Sequence, residues 1–468
     1  MVSQNVFNIQ DLTEGTGGSL LSQHVTEFTG LGTDTRKDLR GQFFIALRGD
    51  RFDAHDYLET AVQAGATALI VDKAEVVTED LKSKVTVILV KDSLKALQDL
   101  ARYWRRKCGF QVLAITGSNG KTTTKGFLAT LLEYRFSVHY SQGSFNNHWG
   151  LPMTLLAARP HHEKVVVEMG MNHRGEIKTL CEIAEPDIVV CTMVGTSHIG
   201  ELGSKEAIRL AKKEIYDYSP DADWVFNLDN EGTIAIYDEL KSKKDPSKVS
   251  TFASYRSGVD VQLKVNWINL GSIEVEGRID DHPGRIDLEI FGRQNSVNLM
   301  AAATMALRAG MTPEEIWHMF PQLKTGWGRN ELRQMKSGAT LLFDAYNANP
   351  DSVTILLKNI YELDVDRRRI VVLGQMGELG SLSGESHQRI GELCGQCGFD
   401  VVVFIGADAQ AFKSGVEASG FQKTLIVSDT YKESLAKQVG DMLKPDDIVV
   451  VKGSRFNKLE RLLDVWEQ

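Results

Sequence analysis

The sequence predicts an α/β protein in three parts, organised around a mainly parallel central sheet. Three observations carry this. From about residue 110 to 320, short apolar runs alternate with segments of helical period, the pattern of a sheet covered on both faces. A glycine-rich loop joins one such run, Val112 to Ile115, to one such helix. Between about Val259 and Phe291 the period changes to alternation, which reads as a β meander attached to that sheet. With 468 residues the chain has room for several domains, each burying its own core. The expected divisions are 1–90, 91–320 and 321–468, with linkers near 91 and 320 that permit rotation.

Bulk properties exclude some functions. Net charge is -9, which argues against a nucleic-acid partner because phosphates demand a basic surface. No apolar run approaches the length that crosses a bilayer, so no membrane insertion is expected. Met1 to Phe7 lacks the basic start and apolar core of a leader, so a cytoplasmic protein is expected. Five cysteines make no disulfide framework in a chain this long. Cys394-Gly395-Gln396-Cys397 has redox spacing, but it falls inside the helical stretch Glu385 to Gly398. It reads better as two small helix residues than as a thiol switch or half a zinc site.

Taken in order, Phe43 to Leu47 reads as a strand, Asp53 to Ala64 as a helix start and helix, and Thr67 to Asp72 as another strand. Arg36, Arg48 and His55 gather around these strand ends. An amphipathic helix follows over Ser93 to Lys107, with Ser93 as its cap. The strand Val112–Ile115 then runs into Thr116-Gly117-Ser118-Asn119-Gly120-Lys121-Thr122-Thr123-Thr124 and a helix. A strand, a glycine turn and a helix start form a phosphate cradle, with backbone N–H groups converging on one anion. Lys121 would reach the β- and γ-phosphates, and the Thr122 hydroxyl would ligate Mg²⁺. Ile115 stands where the longer form of this motif has its first glycine.

Further strands are Lys164–Glu168, Asp187–Thr192 and Asp223–Asn227. Glu168 and His198 follow strand ends, as the glycine loop does, and ligands bind at the carboxyl ends of such strands. Glu168 suits Mg²⁺, and His198 suits a second metal. Lys212 borders the apolar stripe Ile208, Ala211, Ile215. Such a lysine ordinarily snorkels; one desolvated near Mg²⁺ could instead be neutral and take up CO₂ as a carbamate. Gly271, Gly277 and Gly284 read as the turns of the meander, and Asn295 to Ala309 as a helix. The last unit alternates strands Thr340–Phe343, Arg369–Leu373, Val401–Ile405, Thr424–Val427 and Ile448–Val451 with helices. Its exit Gly374, Gly377, Gly380 is glycine-rich but lacks the dinucleotide-binding spacing. No guanine-reading N-K-x-D follows a strand, which argues against a GTPase switch.

With these pieces in place, the chain resembles the Mur ligases, ATP-dependent amide-forming enzymes of peptidoglycan precursor synthesis. The resemblance covers nearly the whole length. It is carried by Thr116–Thr122, Glu168, Ser197-His198-Ile199-Gly200, Asn295-Ser296-Val297-Asn298, Gly328-Arg329 and Lys452-Gly453-Ser454-Arg455. Three longer stretches, Asn146–Pro152, Glu168–Ile177 and Asp344–Ser352, are similar to the branch that joins D-alanyl-D-alanine to UDP-N-acetylmuramoyl-tripeptide.

The resemblance implies a small α/β N-terminal domain for the UDP-sugar, a central ATPase and a C-terminal Rossmann-like doubly wound sheet. It implies ATP and Mg²⁺ as cofactors, with Gly117, Ser118, Asn119, Gly120, Lys121, Thr122 and Thr123 around the phosphates. Asn295 would contact adenine, Arg329 the phosphates and Asp344 the ribose. Lys121, Lys212, His198 and Arg329 would form the catalytic set, and Thr122, Glu168, His198 and a carbamylated Lys212 the metal ligands. Asp34, Arg36 and the Ala46–Gly49 strand exit with Arg48 would face the UDP-muramoyl substrate; Asn146 and Asn147 would lie near its peptide end, and Asn347 joins the substrate-binding set. One departure is Gln294, where the family commonly has histidine before Asn295. The implied reaction phosphorylates a peptide carboxylate and lets an amine displace the phosphate, so no catalytic serine or cysteine is needed. A monomer is expected.

Overall fold

The computed structural model describes residues 6–49, 52–363 and 365–467. Residues 1–5, part of the stretch read above for a leader, lie outside the described residues.

Among the described residues the strands form three main sheets. The first holds Ser19–Ser22, Thr86–Leu89, Ala68–Val71, Phe43–Ile45 and Leu31–Gly32, side by side in that order. The second has nine strands. Six run parallel, in the spatial order Val138–Tyr140, Lys164–Glu168, Gln111–Thr116, Ile188–Cys191, Asp223–Asn227, Val249–Phe252. The strand that feeds the glycine loop therefore sits inside the sheet, where the chain order reverses, the usual ligand position in such folds. The meander Val261–Asn269, Ser272–Ile279, His282–Leu288 extends the same sheet: its first strand joins Val249–Phe252 in parallel, and its three strands run antiparallel to one another. In the third sheet Thr340–Asp344, Ile448–Lys452, Arg369–Gly374, Val401–Ile405 and Thr424–Ser428 run parallel.

Three sequence expectations change. The cap of the helix Ser93–Cys108 is Asp92, whose side chain accepts from the Lys95 N–H; Ser93 is already helical. Gly277 and Gly284 are not turns: they face each other in mid-strand. A Cβ on Gly277 would lie 1.9 Å from the Gln262 carbonyl oxygen, and one on Gly284 would meet the Trp317 ring at 2.4 Å, so close packing requires glycine there. The third sheet also gains an antiparallel edge strand, Glu331–Gln334, paired with Thr340–Asp344. Its half-exposed, charge-rich residues give no apolar run to read. Val138–Tyr140 and Val249–Phe252 escaped notice because one is short and half-exposed and the other alternates.

The helix Ser93–Cys108 buries Ala96, Leu97, Leu100, Ala101 and Trp104. Its Trp104 indole donates to the Ala158 carbonyl and packs at a tilt against Phe7. One apolar cluster thus runs from Phe7, Phe28 and Phe43 through Trp104 to Val112, Leu151 and Val165. The first and second sheets share this core, so the junction after residue 91 is packed.

Candidate active site

The loop after Gln111–Thr116 is shaped by two glycines with left-handed backbone, Gly117 at φ 147° and Gly120 at φ 85°. A Cβ would meet Thr192 Oγ1 at 1.9 Å on Gly117 and Asn298 Oδ1 at 2.3 Å on Gly120. The neighbouring strand exit fixes the loop from outside: Ser118 N–H donates to the Met193 carbonyl, Gly195 N–H to Ser118 Oγ, and Thr192 Oγ1 to the Asn119 carbonyl. The helix Lys121–Leu132 starts at once, with no side chain capping its first N–H groups. Those groups and the helix dipole remain available to an anion.

The charged groups converge here. Lys121 Nζ donates to the Gly117 carbonyl at 2.7 Å. Burial pushes its pKa down, which an anionic ligand would reverse. Thr122 Oγ1 donates to Glu168 Oε2 at 2.8 Å and accepts from the Arg329 guanidinium at 2.8 Å. Glu168 Oε1 accepts from Asn146 Nδ2 at 2.8 Å. Arg329 lies over the Tyr346 ring, with its guanidinium carbon 4.4 Å from the centroid. Asp344 pairs with the buried Lys452 at 2.6 Å, and Lys452 also donates to the Asn347 carbonyl.

A cavity of about 350 Å³ opens between these groups, a volume within the range of small-ligand sites. Its lining includes Ser118 to Thr123, Glu168, Asn295, Arg329, Asp344, Asn347 and Lys452. Glycines that admit no Cβ, uncapped N–H groups and two cations suit a nucleoside triphosphate. For Mg²⁺, Thr122 and Glu168 offer adjoining oxygens of the hard kind this ion prefers. Among the described residues no three His, Cys, Asp or Glu groups form a complete metal cage.

Other predicted residues lie elsewhere or do other work. Asn295 is buried in the cavity wall, where its amide bonds Phe291 O and Asn298. Gln294, the departure from the family pattern, bonds Asn359 of the third sheet's first helix. Asn147 Oδ1 accepts from the N–H groups of Trp149 and Gly150, a local turn. Lys212 is 1% exposed and does not snorkel; its ammonium makes no hydrogen bond or ion pair among the described residues. Burial, and then the charge of Lys121, lowers its pKa to about 7. His198, at φ 63°, places Nδ1 2.9 Å from Glu378 of the third sheet. This contact holds the Glu378 carboxyl below its ordinary range. Asp34 pairs with Arg36 and Arg48 with Asp72, and none of them lines the cavity.

Sequence reading missed Lys125. It is 3% exposed, donates to the carbonyls of Ser141 and Gly143, and stands 3.8 Å from Glu168. Its spacing was the signal: four residues after Lys121 on one helix places both on one face. It also missed Asn349 and Asp351, which bridge from the third sheet to Asn119 and Ser197 and to Thr196.

The sequence matches three family models: the Mur ligase family catalytic domain over residues 27–105, the Mur ligase middle domain over 115–306, and the Mur ligase glutamate ligase domain over 328–455. The chain belongs to the Mur ligase family. Among its relatives is the UDP-N-acetylmuramoyl-tripeptide–D-alanyl-D-alanine ligase of Bacillus subtilis (strain 168), 33% identical over 99% of this chain and 98% of the relative. A crystal structure of MurF from Acinetobacter baumannii superposes with a TM-score of 0.88 at 29% identity, covering 100% of both chains. The MurF ligase of Thermotoga maritima in complex with ADP gives a TM-score of 0.80 at 29% identity, over 94% of this chain and 97% of that one.

Proposed function

We propose that this protein is an ATP-dependent ligase that joins D-alanyl-D-alanine to UDP-N-acetylmuramoyl-tripeptide, in the cytoplasm, as a step of cell-wall precursor synthesis. The observation that carries the reading is the double engagement of Thr122, by Glu168 of the central sheet and by Arg329 of the C-terminal unit. The end of a triphosphate held on Gly117–Thr122 would be enclosed between the two units.

The chemistry follows from what each substrate lacks. A carboxylate is a poor electrophile. One of its oxygens attacks the γ-phosphorus, the bond to ADP breaks, and an acyl phosphate forms. The amine of the dipeptide then attacks the acyl carbon, and phosphate leaves as the amine loses a proton. Lys121 and Arg329 offset charge gathering on the transferring group. Nucleophile and electrophile both come from substrates, so the protein positions and neutralises. The docked third sheet keeps water from the acyl phosphate. Thr122 and Glu168 would hold Mg²⁺, with His198 and a carbamate on Lys212 at a second ion; bound there, the metal supplies charge neutralisation at the phosphates. Asn295 and Asp344 would take the adenosine, and Asp34, Arg36 and Arg48 the UDP end of the acceptor. Asn146, bonded to Glu168, would lie near the peptide end of the acceptor.

The test measures ATP hydrolysis by the purified chain with UDP-tripeptide and a series of amines. D-alanyl-D-alanine should stimulate turnover. Stimulation by meso-diaminopimelate or glutamate, with D-alanyl-D-alanine inert, would overturn the assignment.

A further inference from the structure

The glycine-rich exit at Gly374–Gly380 has no part in the reading above. Its backbone is held from the C-terminal side. The Gln375 N–H and carbonyl bond the Asn457 side chain, the Met376 N–H donates to His387 Nε2 at 2.9 Å, and the Gly377 N–H donates to Ser454 Oγ at 3.0 Å. His387 is fully buried and gives its Nδ1 proton to the Ser383 carbonyl, so it acts as a fixed acceptor. Hydrogen bonds pin the loop up to Gly377, and its tip contacts the central unit.

There the tip meets the turn that carries His198. Gly200 N–H donates to the Glu378 carbonyl at 3.0 Å. A Cβ on Gly200 would stand 2.5 Å from Gly380 N and 2.7 Å from Leu379 C, so the two backbones touch. Glu378 and His198 both have φ 63°, a left-handed conformation that side-chain-bearing residues adopt at a cost. These two strained residues face each other, with Glu378 Oε2 2.9 Å from His198 Nδ1. Among the described residues no group, Glu378 included, meets the buried Nδ1 with full hydrogen-bonding geometry, so the carboxylate stands beside it at ion-pair distance. On the other side, Ser197 Oγ donates to the Ser118 carbonyl, tying the same turn to the phosphate loop.

We propose that Glu378 is a positioning residue for His198, supplied by the C-terminal unit only when it docks on the central sheet. A small turn of the carboxylate lets it accept a hydrogen bond from Nδ1–H, which fixes the ring's orientation and leaves Nε2 with a free lone pair. Strain at both residues is kept because each holds the other, the pattern of a site assembled from two parts. Carboxylates that orient imidazoles in this way typically alter activity ten- to a hundred-fold when removed. The inference rests on His198 serving the reaction proposed above.

The experiment uses the full chain with selectively ¹⁵N-labelled histidine, the His198 ring signal being assigned by its loss in His198→Asn. Wild type should show the Nδ1–H tautomer. Glu378→Ala and Gly200→Ala, the second a steric wedge against the docked loop, should lose it, and Glu378→Gln should retain it. In turnover, Glu378→Ala should lower kcat about ten- to a hundred-fold with the KM for ATP nearly unchanged, and Glu378→Gln should restore part of it. A wild-type tautomer in Glu378→Ala overturns the proposal, as does a normal kcat despite an altered ring signal. If wild type does not turn over the proposed substrates, the assigned reaction fails, and the ring signal alone still decides whether Glu378 orients His198.

Discussion

The loop after Gln111–Thr116 and the loop after Arg369–Gly374 begin alike. Each leaves an interior parallel strand, and each repeats glycine every third residue: Gly117 and Gly120 in one, Gly374, Gly377 and Gly380 in the other. They then diverge. In the first, both glycines are left-handed, and a helix opens immediately on Lys121. In the second only Gly380 is left-handed, the helix waits until Ser383, and the loop carries Glu378 where the first carries a lysine. An anion cradle therefore needs more than glycine spacing. It needs a backbone that turns its N–H groups inward and a cation at the helix start. The second loop uses its glycine to touch another backbone at Gly200.

Substitutions can break or sharpen this contrast. Lys121→Ala removes the cation that distinguishes the first loop; turnover should fall about a thousand-fold or more, read by ADP release. Gly117→Ala should come close to this, because its Cβ would meet Thr192 Oγ1 at 1.9 Å in a region of φ that disfavours side chains. Nucleotide binding, followed by calorimetry, should be lost. Lys212→Ala should cost about a hundred-fold, and short carboxylic acids should restore part of the activity by standing in for a carbamate. Activity that survives without such rescue would count against the carbamate. Gly377→Ala should do least, under three-fold in kcat as a rough bound, since its Cβ would press only on the exposed Phe456 ring, at 3.0 Å. Equal losses in Gly117→Ala and Gly377→Ala would erase the distinction between the loops.

The alternating core was legible in the sequence because its strands are continuous apolar runs, as Val165 to Val167 and Ile188 to Val190 show. The cradle was legible because Gly117, Gly120, Lys121 and Thr122 are local to one turn. Lys212 stood between two readings, snorkelling or desolvated: its position beside the stripe was clear, but its depth, now seen as full burial, depends on what packs over the helix. Glu378, Asn349 and Asp351 were out of reach, since their partners lie more than 150 residues away, as in Asn349 with Ser197 and Asp351 with Thr196. Gly277 and Gly284 misled because a glycine demanded by close packing looks the same in sequence as one demanded by a turn.

The helix Ser93–Cys108 buries its apolar face in a core common to the first two sheets, whereas the stretch from Leu323 to Gly328 crosses to the third without regular structure. The protein should therefore come apart unevenly. Limited proteolysis within 324–328 should release the C-terminal piece as a separate fragment once nucleotide is withdrawn. A nick near residue 109 should leave both products travelling together on gel filtration, because Trp104, before the cut, stays bonded to Ala158 and packed in one core with Leu151 and Val165 beyond it.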